Sequence, residues 1–223
     1  MELSLFNEAG VQFLLRWIHL LAGVTWIGLL YYFNFIQGEY FKAADAGAKS
    51  DVIRKLVPNA LWWFRWGAMF TFLSGAALIY MKHLTGLGIM IGAALGTLMF
   101  LNVWLIIWPK QKTVIASAAR VAEGGEAMPE AGPALAKAGL ASRTNALFSI
   151  PMLFFMASSI HLGGVQVPLH NAGMLSLVLI FGLILALELN GIFGKMGPFA
   201  SVKGVIHSGI ALTVVLYLLA ELI

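Results

Sequence analysis

The stretch that decides the fold is residues 11–33, which read VQFLLRWIHLLAGVTWIGLLYYF. At roughly 1.5 Å of rise per residue, a helix of this length crosses the hydrocarbon core of a bilayer. His19 lies inside this run, where an ionisable side chain is unfavourable and usually faces a protein partner or a functional cavity. A neutral imidazole also has one nitrogen lone pair free for a metal. His19 is therefore the first candidate functional residue.

The composition extends this interpretation to the whole chain. Of the 223 residues, 60% are hydrophobic and 11% are charged, whereas about 25% are charged in ordinary soluble domains. The apolar segments are too long for barrel strands, so the sequence predicts an all-α, polytopic membrane helix bundle, a single domain over residues 1–223. Cysteine is absent, which excludes disulfides, thiolate metal sites and covalently attached haem c. Any metal must be held by His, Met or oxygen ligands.

Apolar windows of about 20 residues predict six transmembrane helices. They cover residues 11–36, 60–81, 87–108, 145–162, 172–190 and 202–222. Basic residues concentrate in the connections 37–59 and 109–143, and basic loops stay cytoplasmic. Both termini are therefore predicted on the outer, periplasmic side of a bacterial inner membrane, and residues 109–143 are predicted to form a cytoplasmic loop with a short surface helix. The net charge of +4 follows from this topology and does not indicate nucleic-acid binding.

The histidines suggest a haem b site on the outer side. His19, Gly23 and Trp26 share one helix face, and the glycine leaves room beside the imidazole for a flat macrocycle. Haem b can be held by two histidines of facing helices without any cysteine. We predict His19 and His161 as the axial ligands, with His207 as the main rival and as the candidate for a second haem. The other interpretations are an interhelical hydrogen bond for His19 and an interfacial position for His161. His83 and His170 are expected to be solvated loop residues.

A second group of polar residues is predicted near the cytoplasmic helix ends. It includes Arg65, Asn102, Arg143 and Asn145, which have the donors needed to hold a planar anion. Glu188 lies in an otherwise apolar helix and needs a partner such as Arg65, Arg143 or His207, or else a proton. Either a structural ion pair or a proton-coupled quinone site would account for a carboxyl group at position 188. Long basic side chains also mark membrane boundaries, and tryptophans form interfacial belts, so a purely structural interpretation remains open here.

Several motifs together resemble a known family. They are Arg16-Trp17-x-His19 with Trp26-Ile27-Gly28, then Leu61-Trp62-Trp63-Phe64-Arg65-Trp66, the exit Trp108-Pro109-Lys110-Gln111-Lys112, and the block from Arg143-Thr144-Asn145 through Pro151 to His161. The chain resembles the N-terminal membrane domain of bacterial membrane-bound urate oxidases (urate hydroxylases), over roughly the first four predicted helices. The first-helix histidine and tryptophan are also similar to those of membrane protoporphyrinogen oxidase, which binds haem b. The resemblance implies a membrane redox protein.

The urate oxidases carry a C-terminal cytochrome c domain, and this chain stops at Ile223 without one. Electrons are therefore expected to pass to a separate redox subunit, a cytochrome c or a quinone. Three functions remain open: a haem b-binding electron-transfer protein, an oxidase of urate or a similar planar anion with Glu188 or His207 taking the proton, and a cofactor-free accessory subunit of a membrane complex.

Overall fold

The computed structural model describes residues 4–222, and its long elements are all helices. We number them α1 (Glu8–Ala43), α2 (Ala46–Lys55), α3 (Val57–Lys82), α4 (Leu87–Ala122), α5 (Ala131–Ser158), α6 (Met174–Phe193) and α7 (Val202–Leu222). Short 3₁₀ turns lie at Ser4–Phe6, Gly164–Gln166, Leu169–Asn171 and Gly197–Ala200. The predicted all-α membrane bundle is confirmed.

Five helices are long and apolar enough to cross a membrane, namely α1, α4, α5, α6 and α7. Helix α3 has 26 residues, enough for a crossing of roughly 39 Å, but Arg65 and several tryptophans interrupt its apolar run. It packs along α1, where a Cβ on Gly67 would lie 3.1 Å from the backbone nitrogen of Trp26. Such close backbone approach through small residues is typical of membrane helix pairs. The bundle thus agrees closely with the six predicted spans.

Three helices, α1, α4 and α5, are clearly longer than the sequence predicted, and α1 and α4 each contain a π-helical segment. Helix α1 continues through Tyr32–Gln37 to Ala43, and α4 continues through Asn102–Ile107 to Ala122. Pro109 lacks a backbone N–H, and a π turn before it lets the helix continue without the missing hydrogen bond.

The long loop predicted over residues 109–143 is therefore much shorter. The helix α4 ends at Ala122 and α5 begins at Ala131. The alanine-rich sequence on both sides of Gly124 and Gly125 favours helix, and the turn residues occupy only the short stretch between the two helices.

Helix α5 lies at the centre of the bundle and packs against α4, α6 and α7. Its side chains are buried in several directions, including Leu147, Phe148 and Phe155, each at most 1% exposed. At the end of the bundle that is predicted to face outward, called the outer end below, the connection between α5 and α6 folds back over the α3–α4 turn. The Leu87 N–H donates to the Val167 carbonyl over 2.8 Å. Val165 is fully buried there against Gly88. This cover fixes the outer end of the bundle.

The outward-facing surface is strongly apolar. Leu20 and Val24 of α1 are 68% and 74% exposed, and Met174, Leu175 and Phe193 of α6 are 75%, 61% and 78% exposed. Helices with such surfaces are stable when acyl chains cover them. The protein is a multi-pass membrane protein whose environment is a lipid bilayer.

Candidate functional site

A cavity of about 540 Å³ lies between α1, α3, α4 and α5. Its volume falls within the roughly 300–1,000 Å³ of typical cofactor and ligand pockets. His19 lines it toward the outer end of the bundle, and Gly28 lines it nine residues, or about 13.5 Å, further along α1. Leu20 and Val24 belong both to its wall and to the lipid-facing surface, so a hydrophobic ligand can enter from the bilayer.

The orientation of His19 is fixed by a serine of α3. The Nδ1 atom of His19 lies 3.2 Å from the Ser74 hydroxyl oxygen. That hydroxyl is itself 2.5 Å from the Phe70 carbonyl and 3.1 Å from the Thr71 carbonyl, so its single proton is donated to the backbone. Ser74 must therefore accept from Nδ1–H. The tautomer that results keeps the lone pair on Nε2, which is the arrangement found when a histidine binds a metal.

Small residues create the space around this imidazole. Those lining the cavity are Gly23, Gly28, Gly75, Ala76, Ala93 and Gly96. A Cβ added to Gly75 would lie 2.9 Å from His19 Cε1, whereas one added to Gly28 would meet nothing within 4 Å. Gly75 is therefore required by the position of the His19 ring, and Gly28 borders open space. Larger side chains at these positions would fill part of the cavity.

The remaining polar atoms of the cavity wall are few. Thr71 and Thr97 donate their hydroxyl protons to the carbonyls of Gly67 and Ala93, each over 2.7 Å. Trp26 is buried, and its indole N–H has no hydrogen-bond partner among the described residues. The wall also contains two thioethers, Met152 and Met156.

The other predicted histidines lie away from this cavity. His161 is exposed in the turn that follows α5, because the helix ends at Ser158, before the predicted Leu162. His207 is exposed on α7, and His83 and His170 are exposed in the outer connections. Among the described residues, His19 is the one histidine in the cavity wall. The structure does not bring the predicted pair, His19 and His161, to one pocket.

The inner polar residues form a buried hydrogen-bond network that sequence analysis did not foresee. The Asn102 side-chain amide donates to Asn145 Oδ1 over 2.9 Å and to Glu188 Oε2 over 3.1 Å. Asn145 in turn donates to the Met99 carbonyl over 2.9 Å. All three side chains are at most 4% exposed. The expected partners of Glu188 were Arg65, Arg143 or His207, and the structure provides Asn102 instead, with no ion pair to Glu188 within residues 4–222.

Arg65 and Arg143 lie outside this network. The Arg65 guanidinium stacks over Trp108 at 3.9 Å and lies 5.8 Å from the Trp104 ring. Arg143 lies beside α1, where a Cβ on Gly38 would be 3.9 Å from its Nη2. Each arginine has one buried nitrogen without a hydrogen-bond partner in the part of the chain that is described, Nε of Arg65 and Nη1 of Arg143. The four predicted anion-binding residues are thus divided among three environments: the network of Asn102 and Asn145, the tryptophans beside Arg65, and the part of α1 beside Arg143.

We expect Asn102→Leu to lower the free energy of unfolding by about 1–3 kcal/mol, because it leaves buried acceptors on Asn145 and Glu188 without a donor. Denaturation in mixed detergent micelles measures this change. The matched control is Leu105→Ala, one turn along α4 at a position that is 68% exposed, which should change stability far less. Equal stability of Asn102→Leu and the wild type would contradict the network as described.

The family model described as urate oxidase N-terminal matches residues 80–220, more than half of the chain. The chain belongs to the urate oxidase N-terminal family. The match covers the predicted residues Asn102, Arg143, Asn145, His161, Glu188 and His207. No curated protein and no solved structure is significantly similar to the chain.

The family match does not extend to every part of the site. His19, Gly23, Trp26 and Arg65 precede residue 80, so the cavity combines a histidine outside the matched region with Gly96 and Met152 inside it. Ser74, Gly75 and Met152 were not among the residues predicted for the site. Ser74-Gly75 is visible in the sequence as a small polar pair in an apolar helix, but a methionine among Leu and Phe residues gives no comparable signal.

Proposed function

We propose that this member of the urate oxidase N-terminal family is a membrane-embedded electron-transfer protein that binds haem b in the cavity beside His19. The observation that carries the proposal is the oriented imidazole of His19, held by Ser74 at the edge of a glycine-walled apolar pocket. Haem b, when bound, supplies a centre that takes up and releases one electron. The residues of the chain orient the ligand, exclude water and determine the environment of the centre.

The fit of the cavity to haem b rests on three features. The wall is mostly apolar and rich in glycine and alanine, as a flat hydrophobic macrocycle requires. His19 offers a nitrogen donor whose other ring nitrogen is already paired with Ser74. The pocket borders the lipid-facing surface at Leu20 and Val24, which gives a hydrophobic cofactor a path of entry.

Aromatic side chains link this cavity to the inner end of the bundle. The ring of Phe72, in the cavity wall, stacks on the ring of Phe100 with centroids 4.3 Å apart. The centroids of the Phe100 and Trp104 rings are 6.5 Å apart. Trp104 contacts Trp66 at 5.7 Å. This chain of rings gives electrons a densely packed route toward a redox partner or a quinone at that end.

The test is the visible spectrum of the purified wild-type protein, recorded oxidised and after reduction with dithionite. We expect an intense Soret band and sharp α and β bands on reduction, with about one haem b per chain in the pyridine haemochrome assay. The bacterial inner membrane is the proposed location. A protein purified from haem-replete cells without any visible absorption would contradict the proposal.

Oxidation of urate or a similar planar anion is the second candidate function. Arg65 and Arg143 each have a buried nitrogen without a partner among residues 4–222. This favours anion binding, because a guanidinium in an apolar setting needs an acceptor. Asn102 and Asn145 are already engaged with Glu188 and would not contribute. Reduction of the chromophore on addition of urate, lost in Arg143→Gln, would support this activity, and an unchanged spectrum with urate would exclude it.

A further inference from the structure

We infer that Met152 is the second axial ligand of the haem proposed above, in place of a second histidine. The inference rests on the proposed function and concerns which residues of this chain can reach the metal. A six-coordinate haem needs two donors from the wall of one pocket. Within the described residues, the strong candidates in this wall are the imidazole of His19 and the thioethers of Met152 and Met156.

The hydroxyl groups of the wall do not compete. The hydroxyl groups of Thr71 and Thr97 each donate a hydrogen bond of 2.7 Å to a backbone carbonyl of their own helix. Neutral hydroxyls are in any case poor ligands beside a thioether, and a methionine paired with histidine is an established haem ligation.

The depth of the two methionines distinguishes them. The stacked rings of Phe72 and Phe100, 4.3 Å apart, set the register of the antiparallel helices α3 and α4. Gly75 lies three residues beyond Phe72 on α3, and it contacts the His19 ring. Thr97 lies three residues before Phe100 on α4. A shift of three residues corresponds to roughly 4.5 Å of helix rise, and the two helices are antiparallel, so Thr97 and Gly75 lie at the same depth in the membrane.

Met152 lies at the depth of His19, and Met156 does not. A Cβ on Gly96, next to Thr97, would be 3.5 Å from the sulfur of Met152, whereas Met156 packs against Gly92, one turn nearer the outer surface. Met152 is also 6% exposed and buried on the central helix. Its sulfur therefore occupies a different wall of the cavity from His19, at the same level in the membrane.

The experiment compares Met152→Leu with Met156→Leu, a matched change one turn away on the same helix. In Met152→Leu the haem should become five-coordinate: the oxidised Soret band shifts to a high-spin form, and the reduced protein binds carbon monoxide rapidly. Met156→Leu should keep a six-coordinate haem, because the thioether of Met152 is still present. Met152→His should restore a six-coordinate haem with a lower midpoint potential, because methionine raises the haem potential relative to histidine. This variant therefore distinguishes loss of a ligand from loss of folding.

The outcomes separate this inference from the function on which it rests. Haem absent from the wild type would refute the proposed function itself. Haem present in the wild type, with a six-coordinate spectrum retained in Met152→Leu, would refute the methionine ligand alone. A five-coordinate spectrum in Met156→Leu, with Met152→Leu unchanged, would likewise overturn the assignment to Met152.

Discussion

Replacing His19 with alanine is expected to yield a folded membrane protein that contains no haem b. The substitution removes the only imidazole in the cavity wall among the described residues, and a thioether alone is a weak ligand for haem iron. We expect the haem-to-protein ratio to fall to background, measured by the pyridine haemochrome assay on protein that elutes as a single peak in size-exclusion chromatography.

Two histidine variants control for general effects of the substitution. His161 and His207 are exposed and lie outside the cavity, so His161→Ala and His207→Ala should keep the full haem content. Full haem content in His19→Ala would show that the cofactor lies elsewhere. Loss of haem in His207→Ala or His161→Ala alone would reassign the ligand to that histidine.

Replacing Gly75 with alanine is expected to displace the His19 ring and weaken haem binding by roughly 10–100-fold, the effect usual for disturbing the support of a metal ligand. The added Cβ would lie 2.9 Å from Cε1 and 3.2 Å from Nδ1 of His19, so the ring must move away from Ser74. The helix itself should tolerate the change, since alanine favours helix over glycine by about 1 kcal/mol. Haem titration into the variant, followed at the Soret band, measures the affinity.

Gly182→Ala provides the matched control on α6. A Cβ at that position meets nothing within 4 Å, so the same chemical change in another membrane helix should leave haem affinity and spectrum unchanged. If Gly75→Ala binds haem as tightly as Gly182→Ala, the His19 ring is not the group that the cofactor contacts.

The fold was largely predictable, because its signal is repeated along the chain. Each apolar segment is long enough to predict a membrane helix by itself. Predicting these helices requires no knowledge of tertiary contacts. The ends of α1 and α4 were not predictable in the same way. Their π turns at Tyr32–Gln37 and Asn102–Ile107 let the helices continue into sequence whose charge is typical of loops.

The candidate site was predictable only for residues whose chemistry is unusual in an apolar helix. His19 and Glu188 stand out in the sequence for this reason, and both prove to be partly or fully buried and hydrogen-bonded. Their partners, Ser74 and Asn102, depend on how helices align, which composition does not specify. Met152 and His19 line the same cavity because α1 and α3 pack beside α4 and α5 there. This packing is a tertiary feature that the sequence of a single helix does not specify.

The inner network and the cavity have different roles in this interpretation. Asn102, Asn145 and Glu188 join α4, α5 and α6 through satisfied hydrogen bonds, which holds the helices in register. The cavity lies about two turns further along the same face of α5, where Met152 packs against Gly96 of α4 and small residues leave space. Stability and cofactor binding should therefore respond to different substitutions, with Asn102→Leu affecting the first and Gly75→Ala the second.

The most direct test of the haem site is an experimental density map of the purified wild-type protein in a lipid nanodisc. We predict flat, strong density for a porphyrin between α1, α3, α4 and α5, with its metal bonded to Nε2 of His19. A map in which an acyl chain or ordered detergent fills that cavity, and Nε2 contacts no metal, would contradict it.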